Sequence, residues 1–557
     1  MKLFLLFLLS ACLTCHKGIE EISPSHPFSC VSCHGGDSTS NKLPEAHLGV
    51  IRNPSDPAYL EEKCGRCHEK EIKNLKNSLH STAAGEINIT RFLFGAQSSP
   101  YDHYATISTN FFSQIPPSPS HPESPEEIVD DLLRRKCLRC HINVEGIHAP
   151  GFYRASGCAA CHVVYENDGK YRGGDKSVQN KVGYPAYHRF VKKIPDLQCL
   201  HCHNGNRVGA DYYGLFEHDY NQDYRSPVSI DSAGKAIISR IFTGERMPVY
   251  GIDFHHLRQD LHKRIGLQCI DCHREDDLMG DGTPYSVENK AVRVRCESCH
   301  GGFSSKPDLK FVERYAKKYR YVSQNGKVYK ISIFSPDING HDRIHKRVSC
   351  SLCHASWAYG DYGFHVSRID IKNYYPWRKF ILQADPIVTK FLRDQLGKPF
   401  KKWAKPEMKD FIDGKEKLGI WFSGWTTRRW EFVPIGIGSD GKYDAIRPMY
   451  QFYVSYVDSE GYVIMDSKIP VRGDGKVWGS IPYVPHTIMK EGRACFDCHG
   501  NTEALGLGYR LMSDDSPGPV VDSILIMPSS VLPDARLLNS KEIKKMMIPK
   551  STINFYK

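Results

Sequence analysis

The chain has 557 residues, 20 cysteines, 26 histidines and a formal net charge of +11. Its length excludes one small core and allows roughly three or four units at ~150 residues per domain. All 20 cysteines fall in Cys-x-x-Cys-His pentapeptides. A secreted disulfide scaffold or a set of zinc sites would leave the ten following histidines unexplained, so both classes are excluded.

Residues 1–11, MKLFLLFLLSA, carry one lysine and then a seven-residue apolar run. The run is too short to span a bilayer and reads as an export leader of lipoprotein type. Leu9-Ser10-Ala11-Cys12 has the form of a lipoprotein cleavage site, while Cys12-Leu13-Thr14-Cys15-His16 has the form of a c-type haem site. One thiol cannot carry both, so lipid or haem on Cys12 stays open at this point.

Residues 12–100 form an N-terminal haem segment with motif cysteines Cys12/Cys15, Cys30/Cys33 and Cys64/Cys67. Residues 101–124 read as a Pro/Ser linker. A helix is predicted from Ser124 as N-cap, with Pro125 in its first turn and Glu127 completing a capping box. Residues 125–355 form a dense haem core with Cys137/Cys140, Cys158/Cys161, Cys199/Cys202, Cys269/Cys272, Cys296/Cys299 and Cys350/Cys353. Residues 356–494 contain no motif but all seven tryptophans. There a helix is predicted from Asp385-Pro386 to Gly397, and aromatic and β-branched runs such as Met449–Val457 predict strands joined by turns. Residues 495–557 hold the last motif, Cys495/Cys498, and a tail. The fold class expected is a multihaem cytochrome c: mostly irregular and helical haem-wrapped chain, with a β-rich, Trp-rich insert before the last haem.

The motif has a physical reason. Two thiols one helical turn apart reach the two vinyl groups of one porphyrin, and the adjacent histidine projects onto the iron. The iron ligands expected on this ground are His16, His34, His68, His141, His162, His203, His273, His300, His354 and His499. Nine haems c follow from the motifs at Cys30 onward, and the tenth depends on Cys12. Sixteen histidines remain for the opposite faces of the irons. Their positions favour His26, His47, His80, His148, His188, His255, His256, His262, His345 and His486 as second ligands. His26, His262, His345 and His486 stand shortly before a motif and can serve that haem or its neighbour. Two histidines on an iron give a lower potential than histidine with methionine. Propionates would remove roughly 10 to 20 units of the positive charge at ordinary carboxyl pKa values, so the basic residues point to propionates rather than to nucleic acid.

Around the motifs stand the phrases CHKGIEEISPSHPFSCVSCHGGD, LHSTAAGEI, GIHAPGFYRASGCAACHVVYENDGKYRGGD and PHTIMKEGRACFDCHG. With them the chain resembles the large multihaem c-type cytochromes of metal-respiring bacteria, over residues 12–365 and 480–505. The resemblance implies extracytoplasmic electron transfer with other redox proteins as partners, in some cases with an outer-membrane porin. It also implies a place in the periplasm, outer membrane or cell surface of a Gram-negative bacterium, with the membrane reached through lipid on Cys12. Leu13 after that cysteine, rather than aspartate, would direct such a lipoprotein to the outer membrane. The function expected is an electron-transfer protein rather than a catalyst, with no catalytic residue assigned. Two alternatives stay open: an oxidoreductase reducing a small nitrogen or sulfur oxyanion at one open-site haem, and a structural subunit of a cytochrome–porin assembly or filament. No Cys-x-x-Cys-Lys motif is present.

Overall fold

A computed structural model describes residues 11–547 except 102, 205–208, 218–228, 231–235, 243–247, 317, 339, 342–343, 376–384, 432–433, 450, 508, 511–523 and 526. Leader residues 1–10, His218, Trp377 and residues 548–557 lie outside the described residues, as do the side chains of His255, Trp425 and Trp430.

Most motifs form a single short helical turn, as in Cys30–His34, Cys296–His300 and Cys350–His354. The spacing needs no more than that. Ser349 caps the turn at Cys350 by accepting a hydrogen bond from the Leu352 N–H. Helix α1, Leu60–Asn77, carries the third motif and leaves helical geometry at His68 (φ −120°, ψ 33°). Helix α2 spans Ala84–Leu93 and helix α3 Pro125–Leu132. The capping box at Ser124 and Glu127 forms reciprocally and fixes the start of α3. A π-turn over Leu133–Cys137 then delivers the fourth motif.

After the ninth motif the chain builds a mixed four-stranded sheet from β1 (Ala358–Ile369), β2 (Ile420–Glu431), β3 (Phe452–Val457) and β4 (Val463–Lys468). The strand order is β2-β1-β3-β4, with β1 antiparallel to β2 and parallel to β3. β3 and β4 form a hairpin around Asp458–Gly461, where a positive φ of 93° requires glycine. Between β1 and β2 lies helix α4, Pro386–Leu396, N-capped by the Asp385 carboxylate.

This sheet does not fold as a separate ball. Val366, Trp421, Phe452 and Val454 share one core with Ile87 and Phe92 of α2 and with Ile128, Leu132 and Leu133 around α3. Trp357 packs in a second core with Leu352, inside the ninth motif, and with Leu505, beyond the tenth. The Pro/Ser segment 101–124 is also packed: Ala105, Phe112 and Ile115 are buried.

Buried ion pairs weld the sheet to the fourth motif. Asp131 accepts from Arg135 (2.7 Å), Arg368 (2.8 Å) and the Trp421 indole (2.7 Å), while Arg134 reaches Asp410 (2.8 Å). Asp385 accepts from Lys136 (2.6 Å) and Arg139 (3.1 Å) on either side of Cys137. Burial alone would raise the Asp385 carboxyl, but Lys136 and Arg139 more than offset it and hold it well below the usual carboxylate range. A depressed folded pKa stabilises above the unfolded value and is lost as pH falls through the folded one. Asp385→Asn should therefore lower stability near neutrality, and the gap from wild type should narrow as the pH is taken from about 7 to about 3. Urea melts across that range check it; a gap independent of pH would mean that the pair contributes no linked stability. Among the described residues, no helix is long and apolar enough to cross a membrane.

Candidate metal centres

The fold brings eight motif histidines ring to ring with a second histidine. Ring centres are 6.1 Å apart for His16–His47 and His26–His68, 5.9 Å for His34–His188, and 6.1 Å for His80–His203. They are 6.2 Å for His262–His300 and His273–His486, 6.1 Å for His341–His354 and 6.4 Å for His345–His499. No histidine is used twice. A metal–imidazole bond is about 2 Å and the nitrogen sits roughly 1.1 Å from the ring centre, so two imidazoles on opposite faces of one ion have centres about 6.2 Å apart. The eight pairs fit a metal between two axial imidazoles.

The outer ring nitrogens agree with this. Nδ1 of His34 lies 2.8 Å from the Ile51 carbonyl, that of His300 2.7 Å from Ser332, and that of His80 3.0 Å from Leu278. Nδ1 of His188 meets the Glu20 carbonyl at 3.0 Å, and that of His16 meets the Asp175 carboxylate at 2.6 Å. An Nδ1–H donated outward leaves the Nε2 lone pair for a metal. Burial also depresses His34, His80, His300 and His486, and pushes His203 down to about 4, which keeps these rings neutral. No disulfide joins any of the twenty cysteines. Among the described residues, no three or more His, Cys, Asp or Glu side chains converge as a metal-cluster site.

No family profile, characterised protein or solved structure matches this chain.

Proximity between thiols orders the motifs in space. Cys12 lies near Cys30, Cys33 near Cys64, Cys64 near Cys158, and Cys161 near Cys199, each close enough to act electrostatically on its neighbour. Cys199 contacts Cys269, Cys272 lies near Cys299, Cys296 contacts Cys350, and Cys353 lies near Cys498. These links join nine motifs in one line. The motif at Cys137/Cys140 is a side branch, joined through Cys140 to Cys202.

The two thiols of a motif are not equally enclosed. Cys67 is exposed, as are Cys15, Cys161 and Cys495, while Cys64 is half-buried. The reason at Cys67 is its place on α1. It stands in the run Arg66–Lys70, whose five residues are all exposed, and α1 breaks from helical geometry at the next residue, His68. The third motif therefore enters the line through Cys64, whereas Cys67 would hold its porphyrin edge at the protein surface.

Of the second ligands expected from position, His26, His47, His80, His188, His262, His345 and His486 lie opposite a motif histidine. His341 is an eighth that position did not favour. Phe334 stacks on its ring (4.6 Å, 25°) and the Ser335 carbonyl faces its Nδ1 at 3.1 Å, which aims the ring at His354. The Phe334-Ser335 phrase ahead of it was the available signal. His148 is more than half exposed beside Glu145 and Tyr153, and pairs with no motif histidine among the described residues. His256 is exposed at the end of strand Pro248–His256, and the His255 side chain lies outside the described residues. His201 is fully buried and engaged by the Gly151 and Tyr165 carbonyls. His141 and His162 are the two motif histidines without a ring partner among the described residues.

Proposed function

We propose that the protein is a multihaem c-type cytochrome that carries electrons along a line of covalently bound haems outside the cytoplasm. The observation that carries this reading is the set of eight histidine pairs at 5.9–6.4 Å, each with one ring from a Cys-x-x-Cys-His motif. When bound, the haem irons supply one-electron redox chemistry at low potential. The chain's own part is positional. Motif cysteines would fix each porphyrin, the paired imidazoles of eight motifs would hold the iron, and backbone carbonyls such as those of Ile51, Ser332 and Leu278 accept from those imidazoles. Neighbouring motif thiols close enough to act electrostatically on one another would keep successive porphyrins close, and the described thiol order gives one path from the first motif to the tenth.

Cys12 belongs to that path. His16 faces His47 at 6.1 Å as in the other pairs, and Cys12 neighbours Cys30. This supports haem rather than lipid on Cys12, and so ten haems. Lipid on Cys12 is the competing outcome, with an outer-membrane anchor and a haem held by Cys15 alone. Partners of this chemistry are other redox proteins, with a porin as a docking frame.

Intact mass and pyridine haemochrome measure both points. Ten haems and no acyl mass are expected of the native protein. Cys296→Ala with Cys299→Ala should remove one haem and leave nine. A protein without covalent haem would overturn the reading, and acyl mass would assign Cys12 to lipid.

A further inference from the structure

We propose that the outward face of the three-stranded sheet over residues 313–330 docks an acidic redox protein, which exchanges electrons with the line at the seventh and eighth motifs. The proposal rests on the haem reading above and adds a partner and a place to it. The sheet pairs Glu313–Tyr315, Lys318–Val322 and Val328–Lys330, each antiparallel to the next. Side chains alternate between the two faces of a strand, so the register sorts them. Arg314, Tyr319, Tyr321 and Tyr329 share one face; Glu313, Lys318, Arg320 and Lys330 share the other with Tyr315 and Val328. The tyrosine face is the inward one. Tyr321 is buried, and its hydroxyl donates to the carbonyl (2.9 Å) or carboxylate (2.8 Å) of Asp271, inside the seventh motif. The Tyr329 hydroxyl donates to the Ile265 carbonyl at 3.1 Å, and Lys327 in the turn donates to it at 3.0 Å. Just past the last strand, the Ser332 carbonyl faces Nδ1 of His300, in the eighth motif, at 2.7 Å. One face thus fastens the sheet across two consecutive motifs. Tyr321 is the one buried side chain of these strands, so the sheet adds little to the core.

The outward face has the composition of a docking surface. Tyr315 is 65% exposed and Val328 55%. The Arg320 guanidinium lies 4.8 Å over the Tyr315 ring and pairs with Glu313 at 2.9 Å. Lys318 stands opposite Tyr315 and Lys330 opposite Arg320, and both lysines are exposed. Exposed tyrosine and arginine supply contact area, and lysines around them supply steering charge. Three cations face outward against one carboxylate, which selects an acidic partner. Haem propionates bring negative charge to the seventh and eighth motifs. Arg314, on the inward face, and Lys327, turned to Ile265, stand on the side of Asp271; Lys318, Arg320 and Lys330 stand on the opposite face and remain for the partner.

The holoprotein tests this with a dithionite-reduced plant-type [2Fe–2S] ferredoxin as the acidic probe, whose low potential drives electrons into the haems. Stopped-flow mixing with the oxidised holoprotein should give a second-order rate that falls steeply with salt. Lys318→Glu with Lys330→Glu should lower that rate about tenfold at low ionic strength and little at high ionic strength. The haem count and the potentials of the double variant alone should equal those of wild type. Carbodiimide cross-linking of wild type at low salt should join Lys318 or Lys330 to ferredoxin carboxylates, a readout that needs no variant to fold. Cross-links only at other lysines, such as the exposed Lys541 and Lys544, or none at all, would overturn the proposal. So would an unchanged rate in the double variant. Displaced haem potentials in the double variant alone would assign the two lysines to propionates and overturn it. Loss of binding to phosphatidylglycerol vesicles with an unchanged ferredoxin rate would make the face a membrane contact and overturn it as well. Each of these outcomes with a full haem count leaves the electron-transfer reading standing. Absence of covalent haem would overturn that reading and, with it, the redox character of the partner.

Discussion

Asp131→Ala should destabilise the protein by about 3–5 kcal/mol, because it leaves the buried Arg135 guanidinium without a carboxylate partner. Asp131 Oδ2 accepts from Arg135, Arg368 and the Trp421 indole, and Oδ1 accepts from Ser118 at 2.8 Å. Arg368 keeps a carboxylate in the variant, since Asp370 binds it at 2.8 Å. Arg135 keeps only the carbonyls of Lys417, Leu418 and Gly419. It is almost wholly buried and has no route to water. The loss should show first at the fourth motif, since Arg135 and Cys137 share one π-turn. Denaturant melts of the holoprotein, followed by haem absorbance and tryptophan fluorescence, measure it. A change under about 1 kcal/mol would put the pairs in the class of exposed surface bridges. Replacing Asp131, Arg135 and Arg368 together by apolar residues of similar size should cost less than Asp131→Ala alone, because no charge is then stranded.

That network marks the limit of what the sequence makes legible. The motifs could be read directly, because each cysteine–cysteine–histidine set is written within five consecutive residues. Capping at Ser124 and the helix after Asp385 could be read for the same reason: each signal lies within one turn of its effect. Strand β3 was visible in the aromatic and β-branched run Met449–Val457, and so was the turn that leads from it into β4. What joins them to α2 and α3 was not. Asp131 looks like an ordinary helix carboxylate, and its partners Arg368 and Trp421 lie more than two hundred residues away. The segment 101–124 carries linker composition, yet its Ile115 carbonyl accepts from the buried Arg134 at 3.1 Å. Local composition cannot report such a contact. Nor can the pentapeptide report how deep each thiol sits: Cys64 and Cys67 share one motif, yet only Cys67 lies on the open side of α1.

The histidine pairs fall on the same boundary. Proximity along the chain picks out histidines that stand before motifs, but not the motif histidines they face. His26 precedes the second motif and faces His68 of the third; His262 precedes the seventh and faces His300 of the eighth. His345 precedes the ninth and faces His499 of the tenth. Each pairing ties one motif segment to the next, so the paired histidines also act as cross-links along the line. His341 differs: it precedes the ninth motif and faces that motif's own His354.

His486→Ala gives the sharpest test of this cross-service. His486 stands just before the Cys495/Cys498 motif, so chain proximity assigns it to the tenth haem. In the fold it stacks against His273, with ring centres 6.2 Å apart and planes at 25°, which assigns it to the seventh. The variant should convert one low-spin iron to high spin and raise that haem's potential, since an axial histidine is lost. Chain proximity and fold then separate by a second substitution. In a Cys269→Ala, Cys272→Ala background, His486→Ala should add no new high-spin iron, because the affected haem is already missing. In a Cys495→Ala, Cys498→Ala background the new high-spin signal should remain. The reverse pattern would return His486 to the tenth haem and break the proposed pairing at the seventh. The seventh motif contacts the sixth through Cys199 and Cys269 and neighbours the eighth through Cys272 and Cys299. An altered potential there sits in the middle of the line. Electron transfer from the first motif to the tenth should slow in His486→Ala, while transfer among the first five linked motifs keeps its wild-type rate. Equal slowing on both sides would mean that electrons do not follow the thiol order.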